Sequence, residues 1–113
     1  MTTLIDIVVF DGLDELDALG PMEVFRTAGD FGGELSTRLV TRTRQAVVTG
    51  THGLRFLPDD VFEPGRAEVL VVAGGGWSTR ADVGVWGEVQ RGDLLGPIRA
   101  AAASARVLAG VCT

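Results

Sequence analysis

The sequence has no lysine, no asparagine and no tyrosine, and it has a single cysteine and a single histidine in 113 residues. Ten arginines carry the whole fixed positive charge against fifteen carboxylates, for a net charge of −5. Those arginines are scattered, whereas nucleic-acid binding draws its affinity from clustered positive charge, so no nucleic-acid partner is expected for this segment. One cysteine cannot close an internal disulfide, which excludes a disulfide-stapled secreted domain and makes a reducing, cytoplasmic setting the expectation. Nowhere do about 18 apolar residues run together, so no membrane span is expected. The apolar start, Met1 to Phe10, is broken by Asp6 and lacks the basic flank and small-residue cleavage site of an export signal. The missing residue types match G+C-rich codon usage and carry no function.

Against those absences stand 46% hydrophobic residues and 16 glycines, an ordinary composition for one folded domain. Leu4 to Phe10 is a nearly continuous apolar run rich in β-branched residues, the pattern of a strand buried on both faces of a parallel sheet. An acidic loop, Asp11 to Leu19, follows, and Gly20-Pro21 reads as the cap and first position of a helix whose inner face carries Met22, Phe25 and Ala28, with Val24 beside them. Leu35 to Thr43 alternates as a strand nearer the edge. Residues 46–49 and 54–56 flank the glycines around His52 as a small hairpin. Glu68 to Ala73 is a second buried strand, ending in Gly74-Gly75-Gly76. Arg80 to Gln90 is a weaker helix, Asp93 caps an alanine-rich helix over Leu94 to Ala105, and Arg106 to Val111 is a third buried strand. This order predicts an α/β parallel sheet with right-handed crossovers, whose ligands bind beyond the carboxyl ends of the strands. The acidic loop, the glycine run and Cys112 all fall at that edge.

Several chemistries can be excluded there. Gly74 to Arg80 lacks the Gly-Lys-Ser/Thr ending of a phosphate loop and the third glycine of a dinucleotide fingerprint, and Asp11, Asp14, Glu15 and Asp17 would repel a pyrophosphate. A phospho-receiver would need an aspartate where Gly74 stands and a lysine that the chain lacks. The acidic spacing fits no EF-hand, so a solvated acidic turn outranks a cation site, and neither a metal nor an organic cofactor is expected. His52, between two glycines in a turn, reads as an exposed surface histidine. Trp77, beside the glycine run, is the better pocket candidate of the two tryptophans; Trp86 reads as a helix packing on the sheet. Cys112 separates the readings. It is either a small buried hydrophobe or, at the end of a strand with Gly110 two positions before it, the nucleophile of a strand-to-helix elbow.

Three stretches taken together resemble the DJ-one/PfpI superfamily, and within it the isonitrile hydratase-like branch. They are Asp17-Ala-Leu-Gly-Pro-Met-Glu-Val-Phe25, Val69-Leu-Val-Val-Ala-Gly-Gly-Gly76 and Ala105-Arg-Val-Leu-Ala-Gly-Val-Cys-Thr113. The resemblance implies a flavodoxin-like three-layer fold with a nucleophile elbow and a homodimer acting on a small-molecule substrate. It assigns Cys112 as nucleophile and Asp17 as the acid/base carboxylate. Thr113 and Gly75, with Gly76 and Trp77 beside them, would line the pocket, backbone N–H groups forming the anion hole. It also implies that these residues are the N-terminal half to two-thirds of such a domain, apparently truncated after the elbow cysteine, and that alone they would be poorly stable and inactive. AraC-type transcription regulators carry a similar amino-terminal domain fused to a DNA-binding module, where it would sense a ligand or dimerise. Enzyme and sensor therefore both stand at this point.

Overall fold

The apolar run after Thr3 becomes the middle of the sheet. In the computed structural model, residues 1–112 are described. They run in the order β1 (Thr3–Val8), α1 (Glu15–Asp30), β2 (Leu35–Thr41), β3 (Val48–Thr49), β4 (Arg55–Phe56), β5 (Asp60–Val61), β6 (Val69–Ala73), α2 (Val85–Arg91), α3 (Leu95–Ala102) and β7 (Val107–Val111). Five strands form one parallel sheet in the order β5-β2-β1-β6-β7, while β3 and β4 pair antiparallel as the expected hairpin. From β1 the chain crosses to β2 on one side, and from β6 it crosses to β7 on the other. Right-handed connections in opposite directions put α1 on one face and α2 with α3 on the opposite one, giving the three layers of a flavodoxin-like α/β fold.

Burial explains why β1 lies centrally. Ile5, Ile7, Val8, Val9 and Phe10 are all buried, and they pack with Leu39, Val40, Leu70, Val71 and Ala73 from the flanking strands. Met22 and Phe25 of α1, and Val85 and Ile98 of the other helical layer, close over this core. Among the described residues, no helix is long and apolar enough to cross a membrane.

Four expectations are corrected. α1 starts at Glu15, not at Gly20-Pro21: Asp14 is its cap, accepting the Leu16 N–H at 3.1 Å, and Pro21 lies inside the helix. The acidic loop is thus shorter than its charges suggested, and Asp17 sits in the first helical turn. On the same helix Val24 and Ala28 are exposed, so the inner face narrows to Met22 and Phe25 around a buried Ala18. Asp93 does not cap α3. Gly92, in a left-handed conformation, closes α2 and swings Leu94 into the core as the residue before α3, so burial of an apolar side chain overrides the capping preference. Finally, among the described residues β7 is not buried as expected: Val107 and Leu108 are half exposed, because there β7 pairs with β6 alone. The two-residue β5, which pairs with β2, was too short to leave a periodic signal.

Candidate active site

The parallel register decides which residues meet at the carboxyl edge. Val69 aligns with Val107 and Ala73 with Val111, so the next residues, Gly74 and Cys112, come side by side as their strands end. Asp17 arrives from β1's side on the first turn of α1. A Cβ built on Gly74 would stand 2.8 Å from Cys112 Sγ and 3.0 Å from Asp17 Oδ2. Thiol and carboxylate therefore share the small space that only a glycine leaves open, at a separation that a direct hydrogen bond or one water can bridge. Asp17 is 1% exposed, whereas Cys112 is exposed. A buried carboxylate thus stands beside an exposed thiol. The position lies where the connections from β1 and β6 diverge, the crevice that open α/β sheets use for ligands.

The acid side of this arrangement is tightly fixed. The Asp14 N–H donates to the Gly74 carbonyl at 2.9 Å, tying the start of α1 to the glycine turn. Gly75, at φ +125°, packs so closely on Leu13 and the Asp14 nitrogen that a side chain there would collide with backbone. Its carbonyl accepts the Val85 N–H at 2.7 Å. The hairpin completes the support. Gly12 donates to the Thr49 carbonyl and Thr51 to the Leu13 carbonyl, each at 2.8 Å. The Glu15 carboxylate accepts N–H groups of His52 and Leu54 and contacts the His52 ring nitrogen Nδ1 at 3.0 Å. Burial raises the Glu15 carboxyl, but the N–H groups of Glu15 and Leu54 and the His52 donors outweigh it, holding the group below its ordinary value.

Asp14, Glu15 and His52 offer ligand atoms within 4.8 Å of one another. Their bonding is already that of a clasp, since Asp14 caps the helix and Glu15 gathers the 50–54 turn around itself. His52 is exposed, as its place between glycines predicted. The Glu15 clasp was not anticipated, because its partners lie 37 and 39 residues away in sequence.

Of the residues singled out from sequence, Asp17 and Cys112 are brought together, and Gly75 braces the acid side. Gly76 belongs to the next loop, where its neighbours are Ala81 and Gly84. Trp77 is in that loop too, half exposed, with its ring edge-to-face against Trp86 at 5.0 Å. Thr113 lies outside the described residues. The missed residue is Gly74, and the equal five-residue strands Val69–Ala73 and Val107–Val111, each running into it or into Cys112, were the signal that could have found it. A cavity of about 210 Å³ opens one strand away, lined by Val9, Phe10, Arg42, Asp82, Glu88 and Arg91 among others, and includes neither Asp17 nor Cys112.

No family model and no curated protein matches the sequence. Solved structures do match it. A THiJ/PfpI family protein from Pseudomonas syringae superposes with a TM-score of 0.77 at 20% identity, covering 97% of this chain and 42% of that one. Toxoplasma gondii DJ-1 superposes at 0.74 with 14% identity, covering 96% and 55%. An AraC family transcriptional regulator from Pseudomonas putida superposes at 0.66 with 19% identity, covering 96% and 63%. The chain spans about half the length of the first two. Its 112 described residues thus carry the α/β flavodoxin-like fold of DJ-1/ThiJ/PfpI superfamily proteins.

Proposed function

We propose that this chain belongs to a cysteine-nucleophile enzyme that hydrates isonitriles to N-substituted formamides. The observation that supports it is the shared space over Gly74, where Asp17 Oδ2 and Cys112 Sγ each lie within 3.0 Å of one point. In this reading the Cys112 sulfur attacks the terminal carbon of R–N≡C while Asp17 gives that carbon a proton, forming a thioimidate, R–N=CH–S. Water then adds to the same carbon, one of its protons passing to the nitrogen and the other to Asp17, and the carbon–sulfur bond breaks to release R–NH–CHO and the Cys112 thiolate, with Asp17 protonated as at the start. The sum is one water added, with no redox change. Backbone N–H groups of Gly75 and Thr113 would stabilise negative charge developing on the substrate, with Gly76 and Trp77 lining the pocket. The proposal includes a cytoplasmic homodimer, for which Leu16, Val24 and Phe31 supply exposed apolar side chains along α1.

The test is hydration of a simple alkyl isonitrile by the full-length protein, followed as appearance of the formyl proton by NMR. Turnover should vanish in Cys112→Ser and fall on the order of 100-fold or more in Asp17→Asn with the fold intact. Wild-type turnover in Asp17→Asn would sink the acid/base assignment, and turnover in Cys112→Ser would sink the nucleophile.

A second reading is favoured by the match to the Pseudomonas putida regulator. There the same domain would sense a ligand or dimerise, and the full-length protein would bind duplex DNA with an affinity that falls steeply with salt. Isonitrile turnover without DNA binding would dismiss it.

A further inference from the structure

The loop that follows the glycine turn holds Trp77, and the helix it leads into, α2, holds Trp86, the two tryptophans of a chain that has no tyrosine. Trp77 and Trp86 meet edge-to-face, with centroids 5.0 Å apart and planes at 67°. Over the ring of Trp86 sits the Arg80 guanidinium, 5.3 Å from the centroid. The φ of Arg80 is +51°, and it is the one non-glycine residue at positive φ among the described residues; Gly12, Gly32, Gly53, Gly65, Gly75, Gly76, Gly84 and Gly92 fill the other eight such positions. This left-handed residue closes the turn: the Arg80 N–H donates to the Trp77 carbonyl and the Ala81 N–H to the Gly76 carbonyl, each at 3.0 Å, which fixes where the Arg80 side chain leaves the loop.

Arg80, like Arg44, Arg55, Arg99 and Arg106, forms no ion pair with a carboxylate among the described residues, and of these five it is the one that lies over an aromatic ring. A guanidinium lying over a ring keeps its in-plane N–H fork free to bind a carboxylate bidentately. Trp77, 49% exposed, offers a ring surface beside it. An aromatic wall next to a positioned cation is complementary to a flat ring bearing a negative group.

We infer that Trp77, Trp86 and Arg80 form a binding site for an aromatic carboxylate, the ring resting on Trp77 and the carboxylate on Arg80. The site goes beyond the hydration reading and stands whether or not Cys112 is a nucleophile. Because both tryptophans of this chain are in it, the part of the full-length protein's emission that Trp77→Phe removes reports on it directly. Benzoate should quench that emission to a plateau, while benzamide, without the charge, and cyclohexanecarboxylate, without the flat ring, should each need about tenfold higher concentration. Arg80→Gly suits the backbone, so it should keep the melting temperature or raise it, weaken benzoate about tenfold and leave benzamide unchanged. Cys112→Ser should bind benzoate as wild type does while losing any isonitrile turnover. Linear quenching without a plateau, equal for all three probes, would overturn the assignment, as would unchanged benzoate binding in Arg80→Gly. Benzoate binding lost in Cys112→Ser would place the ligand at the thiol and overturn it as well.

Discussion

β1 and β7 are written in nearly the same apolar language and end up in different environments. β1 is paired on both sides, roofed by helices and buried from Ile5 to Phe10. β7 is paired on one side, with Val107 and Leu108 half in solvent and Gly110 exposed. Yet each delivers one half of the candidate site: β1 leads into the turn that fixes Asp17, and β7 ends at Cys112. The contrast assigns the two halves different physical jobs. In the proposed reading Asp17 is the acid, shielded and held still by the turn after a central strand, and Cys112 is the nucleophile at the end of β7.

The central strand even carries a buried charge. Asp6 has no exposed surface and is held by Arg38 through both carboxylate oxygens, at 3.1 and 3.2 Å, and by Arg66 at 3.3 Å. Asp6→Ala should be among the most damaging changes on this comparison, costing about 3 kcal/mol, because it leaves two guanidinium groups gathered on the sheet without their carboxylate. Denaturant titration measures it. A cost below about 1 kcal/mol would mean the arginines swing out to water, and the central strand would be less rigid than its burial implies.

Gly74→Ala tests the joint between the two halves. The added methyl would stand 3.0 Å from Cys112 Cα and closer to its sulfur, so one side must give. Displacement of the reacting pair by that amount should cut isonitrile turnover on the order of 100-fold. Cys112→Ser cannot make this test, since it removes the chemistry along with the geometry. Undiminished turnover in Gly74→Ala would show that Asp17 and Cys112 do not act across that space.

Much of this was legible in the residues, for reasons that differ by element. β1 and β6 announced themselves because apolar residues on both faces leave one place for a strand, inside a parallel sheet. β7 was misread from the same signal, since burial depends on what lies beyond the outer edge, which no local pattern records. The start of α1 was misplaced because Pro21 looks like a first helical residue, while Asp14, the true cap, is one acidic residue among several. Cys112 was picked out by its place at the end of an apolar strand and Asp17 by resemblance, and the register of β6 and β7 brings Cys112 to Gly74. Glu15 could not be read at all: a carboxylate that organises a turn 37 residues away looks, in sequence, like any other solvated acid.

That Glu15 clasp gives a moderate and pH-dependent effect on the β1 side. Its carboxyl is held below the ordinary value in the fold, so its contribution is fully present above the unfolded value of about 4.3 and is lost as pH falls through the lowered folded value. Glu15→Gln should cost about 1–2 kcal/mol at neutral pH, and the difference from wild type should shrink in acid. No difference at neutral pH would mean the hairpin is held by its backbone bonds alone, at Gly12 and Thr51.

The smallest effect is expected on β7 and is the sharpest check on the contrast. Asp6, Leu70 and Leu108 occupy one row across β1, β6 and β7. Leu70 is buried and Leu108 is half exposed, so the same truncation removes very different amounts of packing. Leu70→Ala should cost about 3 kcal/mol, from lost transfer free energy plus an unfilled cavity, whereas Leu108→Ala should cost less than about 1 kcal/mol. Equal losses measured on the full-length protein would show that another element covers β7 in solution.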